Sequence, residues 1–364
     1  MLREPHSVST RLSRRAKLGA LGILALTASV QAAPPHLTFE QLTVTSGAGC
    51  ASYYPSMSNT GNKVAFTSFC DLVGQNADQN AEVFVMSTNG TNIHQLTTTV
   101  SNPGAFGAQN VGINKNGTVV VFSSDGDLVA GGNADGNFEI FTINADGTGI
   151  AQLTHTTGGI PDNFGGCSHP SFSPNGSQIL FASDRDLISG QNSDNNQEMF
   201  LMNADGSGLV QITHTTGGFG NWDGSMANGN RVLFSSDRDL VPPGNPAGFY
   251  QLFTINVDGT GVQQLTHTSD GDNVAPRWTA NGKTLTFRSD ADLVGNNPDH
   301  SLEVFRMDTD GTHLVQVTST STGFTAPWDI SSNAKIIAIE SDQDLVPGSN
   351  ADHNGEIFLA KLVP

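Results

Sequence analysis

Residues 170–213 read PSFSPNGSQILFASDRDLISGQNSDNNQEMFLMNADGSGLVQIT, one complete copy of the unit from which most of the chain is built. Asn175-Gly176 and Asp205-Gly206 are residue pairs that favour two-residue hairpin turns. Between the turns, apolar and polar residues alternate with a period of two, as they do in half-buried β-strands. The stretch therefore predicts a unit of four short antiparallel strands.

This unit recurs six times. Its strand-centre Phe181 has counterparts 52 to 59 residues apart along the chain, at Phe66, Phe122, Phe234, Phe287 and Ile339. A second aromatic series comprises Phe84, Phe141, Phe200, Phe253, Phe305 and Phe358. Four-stranded units of this period bury their faces only against neighbouring units, which is typical of a β-propeller. We therefore predict an all-β fold, a six-bladed β-propeller of four-stranded antiparallel blades.

The last blade is expected to combine both ends of the chain. The sixth unit reaches Pro364 without a fourth strand, and residues 39–45 match the fourth strand at 210–215. An N-terminal strand that completes blade six would close the ring and remove an exposed sheet edge. One propeller domain then spans residues 36–364. Its predicted repeats are 51–102, 108–159, 167–218, 221–270, 273–322, and 325–364 plus 36–49.

Residues 1–32 have the pattern of a signal peptide. A charged segment precedes an apolar run from Leu18 to Val30 that is too short to span a bilayer, and small residues follow. The charged residues are Arg3, Arg11, Arg14, Arg15 and Lys17, and the small ones are Ala32 and Ala33. We expect export to a periplasm or beyond, without a membrane span. Arg14-Arg15 leaves both the general secretory and the twin-arginine routes open.

The composition narrows the class of partner. The 364 residues include 16 Lys and Arg against 34 Asp and Glu, a formal net charge of −18. Nucleic-acid binding depends on clusters of basic residues, so this acidic chain is not expected to bind nucleic acid. Its 20 phenylalanines and recurring apolar runs also argue against disorder.

The cysteines agree with an oxidising compartment. Cys50 and Cys70 lie at similar distances on either side of the turn at 59–62. A hairpin about that turn would place them opposite each other and within disulfide reach, so a Cys50–Cys70 bridge is one of two open alternatives. Cys167 is left over and is expected to be a buried thiol.

The repeat resembles that of a known family. The pattern Pro-x-Phe/Trp-Ser/Thr-x-Asn-Gly, followed by Asn-x-Asp-Gly and Gln-Leu-Thr, is similar to the WD40-like propeller repeat of the TolB family in all six units. The resemblance implies a periplasmic protein-binding platform, which in TolB-type proteins contacts the lipoprotein Pal and follows an N-terminal α/β domain. Because repeats occupy residues 36–364, it implies here a stand-alone propeller without that domain.

Five units carry alternating oxygen-bearing residues in the loop between their second and third strands. Calcium takes six to eight oxygen ligands, so this pattern predicts calcium sites. Asn and Asp also form turns and cap loops without metal, and that alternative stays open. The fourth unit has no carboxylate at 245–251. The candidate ligands are Asp71, Asn76, Asp78, Asn80 and Glu82; Asp127, Asn133, Asp135, Asn137 and Glu139; Asp186, Asn192, Asp194, Asn196 and Glu198; Asp292, Asn297, Asp299 and Glu303, with Ser301 between the last two; and Asp344, Asn350, Asp352, Asn354 and Glu356.

A second candidate site comes from residues that differ between units. The first strand of a propeller blade is innermost, and its residues border the central funnel. The blade-specific residues there are Tyr54, Asn110, His169, Trp222, Arg277 and Trp328. Aromatic and charged groups that converge on one mouth would form a binding site, and ordinary polar lining is the alternative.

These features predict an exported, monomeric propeller that binds a protein or cell-envelope partner without catalysis, with calcium as the one expected cofactor. The sequence has no Gly-x-Ser-x-Gly, His-Glu-x-x-His, Cys-x-x-Cys or phosphate-loop motif. The alternative is a secreted hydrolase or lyase that acts on polysaccharide or peptide through the central funnel. That alternative predicts turnover that Arg277→Ala and His169→Ala abolish.

Overall fold

The computed structural model describes residues 36–47, 49–99, 107–157, 166–217, 220–245 and 248–363. Within these ranges the chain forms 24 β-strands and no helix. Accordingly, none of the described residues belongs to a helix that could cross a membrane. The predicted signal peptide lies outside the described residues.

The strands form six four-stranded antiparallel sheets across the described ranges, as the repeats predict. In chain order they are β1 (His36–Gln41); β2 (Ser52–Met57), β3 (Lys63–Ser68), β4 (Glu82–Ser87) and β5 (His94–Gln95) in blade one; β6 (Ala108–Ile113), β7 (Val119–Ser124), β8 (Glu139–Asn144) and β9 (Ala151–Gln152) in blade two; β10 (Cys167–Phe172), β11 (Gln178–Ser183), β12 (Glu198–Asn203) and β13 (Val210–Gln211) in blade three; β14 (Asn221–Ala227), β15 (Arg231–Ser236), β16 (Gln251–Asn256) and β17 (Gln263–Gln264) in blade four; β18 (Asn273–Trp278), β19 (Thr284–Ser289), β20 (Glu303–Asp308) and β21 (Val315–Gln316) in blade five; and β22 (Thr325–Ile330), β23 (Ile336–Ser341) and β24 (Glu356–Val363) in blade six.

The N-terminal strand closes the ring. β1 pairs antiparallel with β24, with His36 opposite Val363 and Gln41 opposite Phe358. The sheet order β1-β24-β23-β22 makes β22 the innermost strand of blade six, and β22 contacts the innermost strand of blade one, β2. The all-β, six-bladed prediction and its mode of closure are confirmed.

The core is built from the two phenylalanine series. In blades one to five the second-strand and third-strand phenylalanines stack, with ring centroids 5.5 to 5.9 Å apart. Phe181 and Phe200, for example, lie directly opposite each other and are fully buried. In blade six Ile339 takes the first place, opposite Phe358. These side chains fill the space between neighbouring blades, which explains why the same positions carry large apolar residues in every repeat.

A buried glutamate fixes the outer edge of five blades. In blades one to five the fourth strand has only two residues, whereas in blade six it is the six-residue β1. In every blade the Thr-x-Thr segment after the fourth strand contacts the first residue of the third strand. In blade three Glu198 accepts hydrogen bonds from the Thr213 hydroxyl and from the Thr215 amide and hydroxyl. The equivalent acceptors are Glu82, Glu139, Glu303 and Glu356. In blade four Gln251 binds Thr268 instead, so the same contact forms there without a carboxylate.

Candidate binding site at the propeller mouth

A β-bulge in each innermost strand shapes the mouth of the propeller. The register between first and second strands shifts at the third or fourth residue of the first strand in all six blades of the described chain. In blades one to five the third residue has a left-handed backbone, with φ between 48° and 55°, at Tyr54, Asn110, His169, Asp223 and Ala275. This conformation costs a non-glycine residue about 1–2 kcal/mol. A bulge re-aims side chains, and such strain clusters at functional sites.

Side chains from five blades enclose a cleft at this mouth. Its volume is about 370 Å³, within the range of small-ligand sites and large enough for one or two side chains of a partner. The lining residues are Tyr54 of blade one, His169 of blade three, Trp222, Asp223 and Tyr250 of blade four, Val274 and Arg288 of blade five, and Phe324, Trp328 and Glu340 of blade six.

Trp328 is the centre of the aromatic packing in this cleft. The Tyr54 ring meets it edge-on with centroids 4.7 Å apart, and the His169 ring lies nearly parallel to it at 6.3 Å. His169 in turn meets the Trp222 ring edge-on at 5.9 Å. Aromatic rings in these orientations attract each other by about 0.5–1.5 kcal/mol beyond the area they bury, so these contacts stabilise the wall of the cleft.

Buried charges line the same cleft. Glu340 accepts a 3.0 Å hydrogen bond from the Tyr54 amide. Burial raises the pKa of Glu340 to about 7, although that hydrogen bond and Arg288 partly oppose the shift. The Arg288 guanidinium lies 4.8 Å from the centre of the Phe324 ring. Near neutral pH the cleft therefore holds a carboxyl group close to half-protonated beside a guanidinium group.

His169 and Asp223 form a second polar pair, with 3.4 Å between His169 Nε2 and Asp223 Oδ1. Burial lowers the pKa of His169, and Asp223 only partly offsets that effect. The cleft therefore favours the neutral form of the imidazole. Tyr250 completes this side of the cleft, where burial and the nearby Asp237 raise its pKa to about 12, so its hydroxyl keeps its proton.

The structure brings four of the six predicted funnel residues together: Tyr54, His169, Trp222 and Trp328. Asn110 is buried in blade two, where its amide nitrogen donates to the Ser123 hydroxyl, and it does not line the cleft. Arg277 is the first paired residue after the bulge, opposite Thr286, and lines a separate cavity of about 80 Å³ with Asp329 and Lys115. Its Nε donates to the Trp328 carbonyl oxygen, and its guanidinium packs 5.0 Å from the centre of the Trp328 ring.

The cleft continues outward into a second cavity of about 640 Å³. Tyr54, Phe324 and Glu340 line both cavities. The outer cavity is also lined by Tyr53 and by the loop that contains Cys50. Cys50 and Cys70 form a disulfide, with their Cα atoms 4.8 Å apart. Cys167 is a buried free thiol. The mouth is therefore an elongated groove that runs from the propeller axis toward the blade one–blade six boundary.

Sequence reasoning missed Arg288 and Glu340, although a signal for them exists. Both occupy the fifth position of the second strand, which faces the mouth. The other four blades carry small or hydroxyl residues at this position: Thr67, Ser123, Ala182 and Ser235. A comparison of second strands between repeats, like the one made for first strands, would have singled out both charged residues.

The predicted calcium-loop residues divide into separate structural roles. The upstream aspartates accept hydrogen bonds from loop amides, as Asp186 does from the amides of Gly190, Gln191 and Asn192. Asp71, Asp127, Asp292 and Asp344 make equivalent contacts. The terminal glutamates bind the Thr-x-Thr segments. The loops therefore have a structural function, and calcium binding by them stays a prediction.

Comparison with known proteins identifies the fold. No protein-family model matches the chain, and no curated protein matches its sequence. Among solved structures, a protein from Agrobacterium tumefaciens assigned as a TolB is 18% identical over 78% of this chain and 88% of its own, with a TM-score of 0.53. Hydrazine synthase of Kuenenia stuttgartiensis is 13% identical over 78% of this chain and 42% of its own, with a TM-score of 0.53. An oligogalacturonate lyase of Vibrio parahaemolyticus is 11% identical over 90% of this chain and 98% of its own, with a TM-score of 0.46. The chain is thus a six-bladed β-propeller with a TolB-like structural neighbour.

Proposed function

We propose that this chain is an exported, non-catalytic propeller that binds a protein or cell-envelope partner through its mouth. The distribution of its tyrosines and tryptophans carries the proposal. The chain has three of each, all within the described ranges, and five of the six line the two mouth cavities: Tyr53, Tyr54, Trp222, Tyr250 and Trp328. The sixth, Trp278, packs in the core of blade five.

This distribution is typical of an interaction surface. Tyrosine and tryptophan are the residues most enriched at the energetic centres of protein interfaces, because they bury a large area and keep a polar atom for hydrogen bonding. The phenylalanines of the two core series are instead fully buried. The elongated, open shape of the groove suits an extended segment of a partner better than an enclosed small molecule.

Substitution of Trp222 tests the proposal. Its ring is half-buried at the mouth and contacts His169, so Trp222→Ala should leave the fold intact. Loss of a tryptophan anchor typically costs 2 kcal/mol or more of binding energy, which weakens binding about 30-fold. We expect the variant to capture far less partner from envelope extract, as measured by quantitative mass spectrometry.

Lys115→Ala is the matched control, because Lys115 is exposed and lines the separate cavity beside Asp329. Both variants should melt within a few degrees of the parent protein. Equal recovery of a specific partner by Trp222→Ala and the parent would refute the proposed site.

An enzymatic function is the second candidate, and one observation favours it. Glu340, with its pKa near 7, shares the cleft with the His169–Asp223 pair, and general acid–base catalysis uses groups of this kind. This reading proposes a hydrolase or lyase for polysaccharide or peptide. It requires turnover that His169→Ala abolishes, and partner capture without turnover favours the binding function.

A further inference from the structure

The Ser301 hydroxyl, in the loop between β19 and β20, lies at a point where several acceptor oxygens converge. Its Oγ is 2.9 Å from Asn297 Oδ1 and 3.1 Å from Asp299 Oδ1. It is also 3.0 Å from Glu303 Oε1 and 2.9 Å from the Thr320 carbonyl oxygen. A hydroxyl has one proton and can satisfy only one of these four acceptors through it. The Ser301 amide also donates to Asp299 Oδ1, and the Thr320 amide and hydroxyl donate to Glu303 Oε1. Asn297 Oδ1 and the Thr320 carbonyl oxygen are then left with one hydroxyl proton between them.

The chemistry of these oxygens and their distances from Ser301 Oγ are those expected for neighbouring ligands of one calcium ion. Oxygens that bind one Ca²⁺ at 2.3–2.6 Å lie roughly 2.8–3.5 Å from their neighbours in the shell. The five donors comprise two carboxylates, one amide, one hydroxyl and one backbone carbonyl, all of them hard oxygen ligands. Alternate residues of one loop supply four of them, at positions 297, 299, 301 and 303.

The equivalent loops of blades one, two, three and six contain buried oxygens without hydrogen-bond partners at the corresponding positions. In these loops an asparagine replaces Ser301. Within the described residues, the Oδ1 atoms of both loop asparagines are buried and accept no hydrogen bond: Asn76 and Asn80, Asn133 and Asn137, Asn192 and Asn196, and Asn350 and Asn354. Such orphan acceptors are rare in folded proteins and unfavourable, and a bound cation would satisfy them.

The first asparagine of each loop directs its oxygen toward the same point. Asn297 donates from Nδ2 to the Ser301 carbonyl at 2.9 Å, and Asn192 donates in the same way to the Asn196 carbonyl at 2.9 Å. Because the amide nitrogens are fixed alike, the Oδ1 atoms have equivalent positions. Asn192 is only 1% exposed, so its unpartnered oxygen is enclosed by the loop.

We propose that the loops at 76–82, 133–139, 192–198, 297–303 and 350–356 each bind one Ca²⁺. Blade four is the exception, because Asn245 is followed there by Phe249 and Gln251 and the loop has no carboxylate. Asp292 is not among the proposed ligands, because its carboxylate contacts the Asn297 amide and is not one of the four oxygens around the Ser301 hydroxyl. A cavity of about 960 Å³ lined by Asp299 and Thr320 gives solvent and ion access to the blade five site.

Calcium titration of metal-depleted protein tests the proposal. The mature chain is treated with chelator, and Ca²⁺ uptake is counted by isothermal titration calorimetry and by elemental analysis after gel filtration. We expect five equivalents for the parent protein and four for Asp299→Asn, which removes one of the two negative charges of the blade five site and keeps the side-chain shape. Addition of 1 mM Ca²⁺ should also raise the melting temperature of the depleted parent protein.

Asp258→Asn is the matched control, because Asp258 is an exposed acid in a blade four turn, where it binds only Thr260 among the described residues. It should retain the parent stoichiometry. The proposal is overturned if the depleted parent protein takes up no Ca²⁺ at 1 mM, or if Asp299→Asn binds as much as the Asp258→Asn control. Circular dichroism of both variants establishes that they are folded.

Discussion

Removal of residues 36–45 is expected to abolish the stable monomer. These residues supply β1, the fourth strand of blade six, and the Phe39 side chain packs against the core of that blade. They also supply Thr45, whose amide and hydroxyl donate to the buried carboxylate of Glu356. A buried charge that loses its partners costs about 3–5 kcal/mol, a large share of the stability of a typical domain. The deletion also exposes β24 as an unpaired edge that can pair with other chains.

Size-exclusion chromatography and thermal unfolding measure this effect. We expect the truncated chain to aggregate or to melt at a much lower temperature than the parent protein. Val44→Ala is the control within the same segment, because Val44 is 77% exposed and its substitution should change neither property. A truncated chain that stays monomeric with an unchanged melting temperature would contradict closure by β1.

Glu340→Gln is expected to stabilise the protein above pH 7 and to have little advantage below pH 4.5. Burial raises the pKa of Glu340 to about 7 in the folded state, compared with an ordinary value of 4.5. The folded state therefore holds this proton more tightly than the unfolded state does. The resulting stability is fully present below pH 4.5 and is lost as the pH rises through 7. A pKa difference of this size between the folded and unfolded states corresponds to about 3 kcal/mol in the free energy of unfolding. Because glutamine does not titrate, the variant does not lose this stability as the pH rises.

Denaturant unfolding at several pH values between 4.5 and 8 measures this linkage. The free energy of unfolding of Glu340→Gln relative to the parent protein should increase with pH across this range and level off above it. Glutamine can still accept the Tyr54 amide hydrogen bond, so the substitution preserves that contact. The control is Glu40→Gln, at a half-exposed glutamate of β1. Parallel stability curves for the parent protein and Glu340→Gln would show that this carboxyl group does not titrate as the burial implies.

The fold was predictable because the repeat unit occurs six times in the sequence. The counterparts of Phe181 and Phe200 recur 18 or 19 residues apart in every unit, and the Asn-Gly and Asp-Gly turns indicate where the strands of each unit begin and end. Closure was predictable because residues 39–45 match a strand that the sixth unit lacks. Each of these signals is local and periodic, and neighbouring blades bury the same positions in every repeat.

The mouth was only partly predictable, because its residues break the repeat. Tyr54, His169 and Trp222 could be found as departures from the first-strand pattern. Arg277 lines a different cavity because it is the fifth residue of its strand, after the bulge, whereas Tyr54 and His169 are third residues, within it. Glu340 was missed because it lies on a second strand, and its distance from Tyr54 follows from ring closure rather than from any local signal.

Site-specific photo-crosslinking tests the proposed binding site most directly. A photoreactive phenylalanine analogue is placed at position 222, at the mouth, or at position 115, beside the separate cavity, and the two proteins are irradiated in envelope extract. If the mouth binds the partner, position 222 should give a discrete crosslinked protein that position 115 does not give. Crosslinks to the same protein from position 115 alone, or none from position 222, would contradict binding through the mouth.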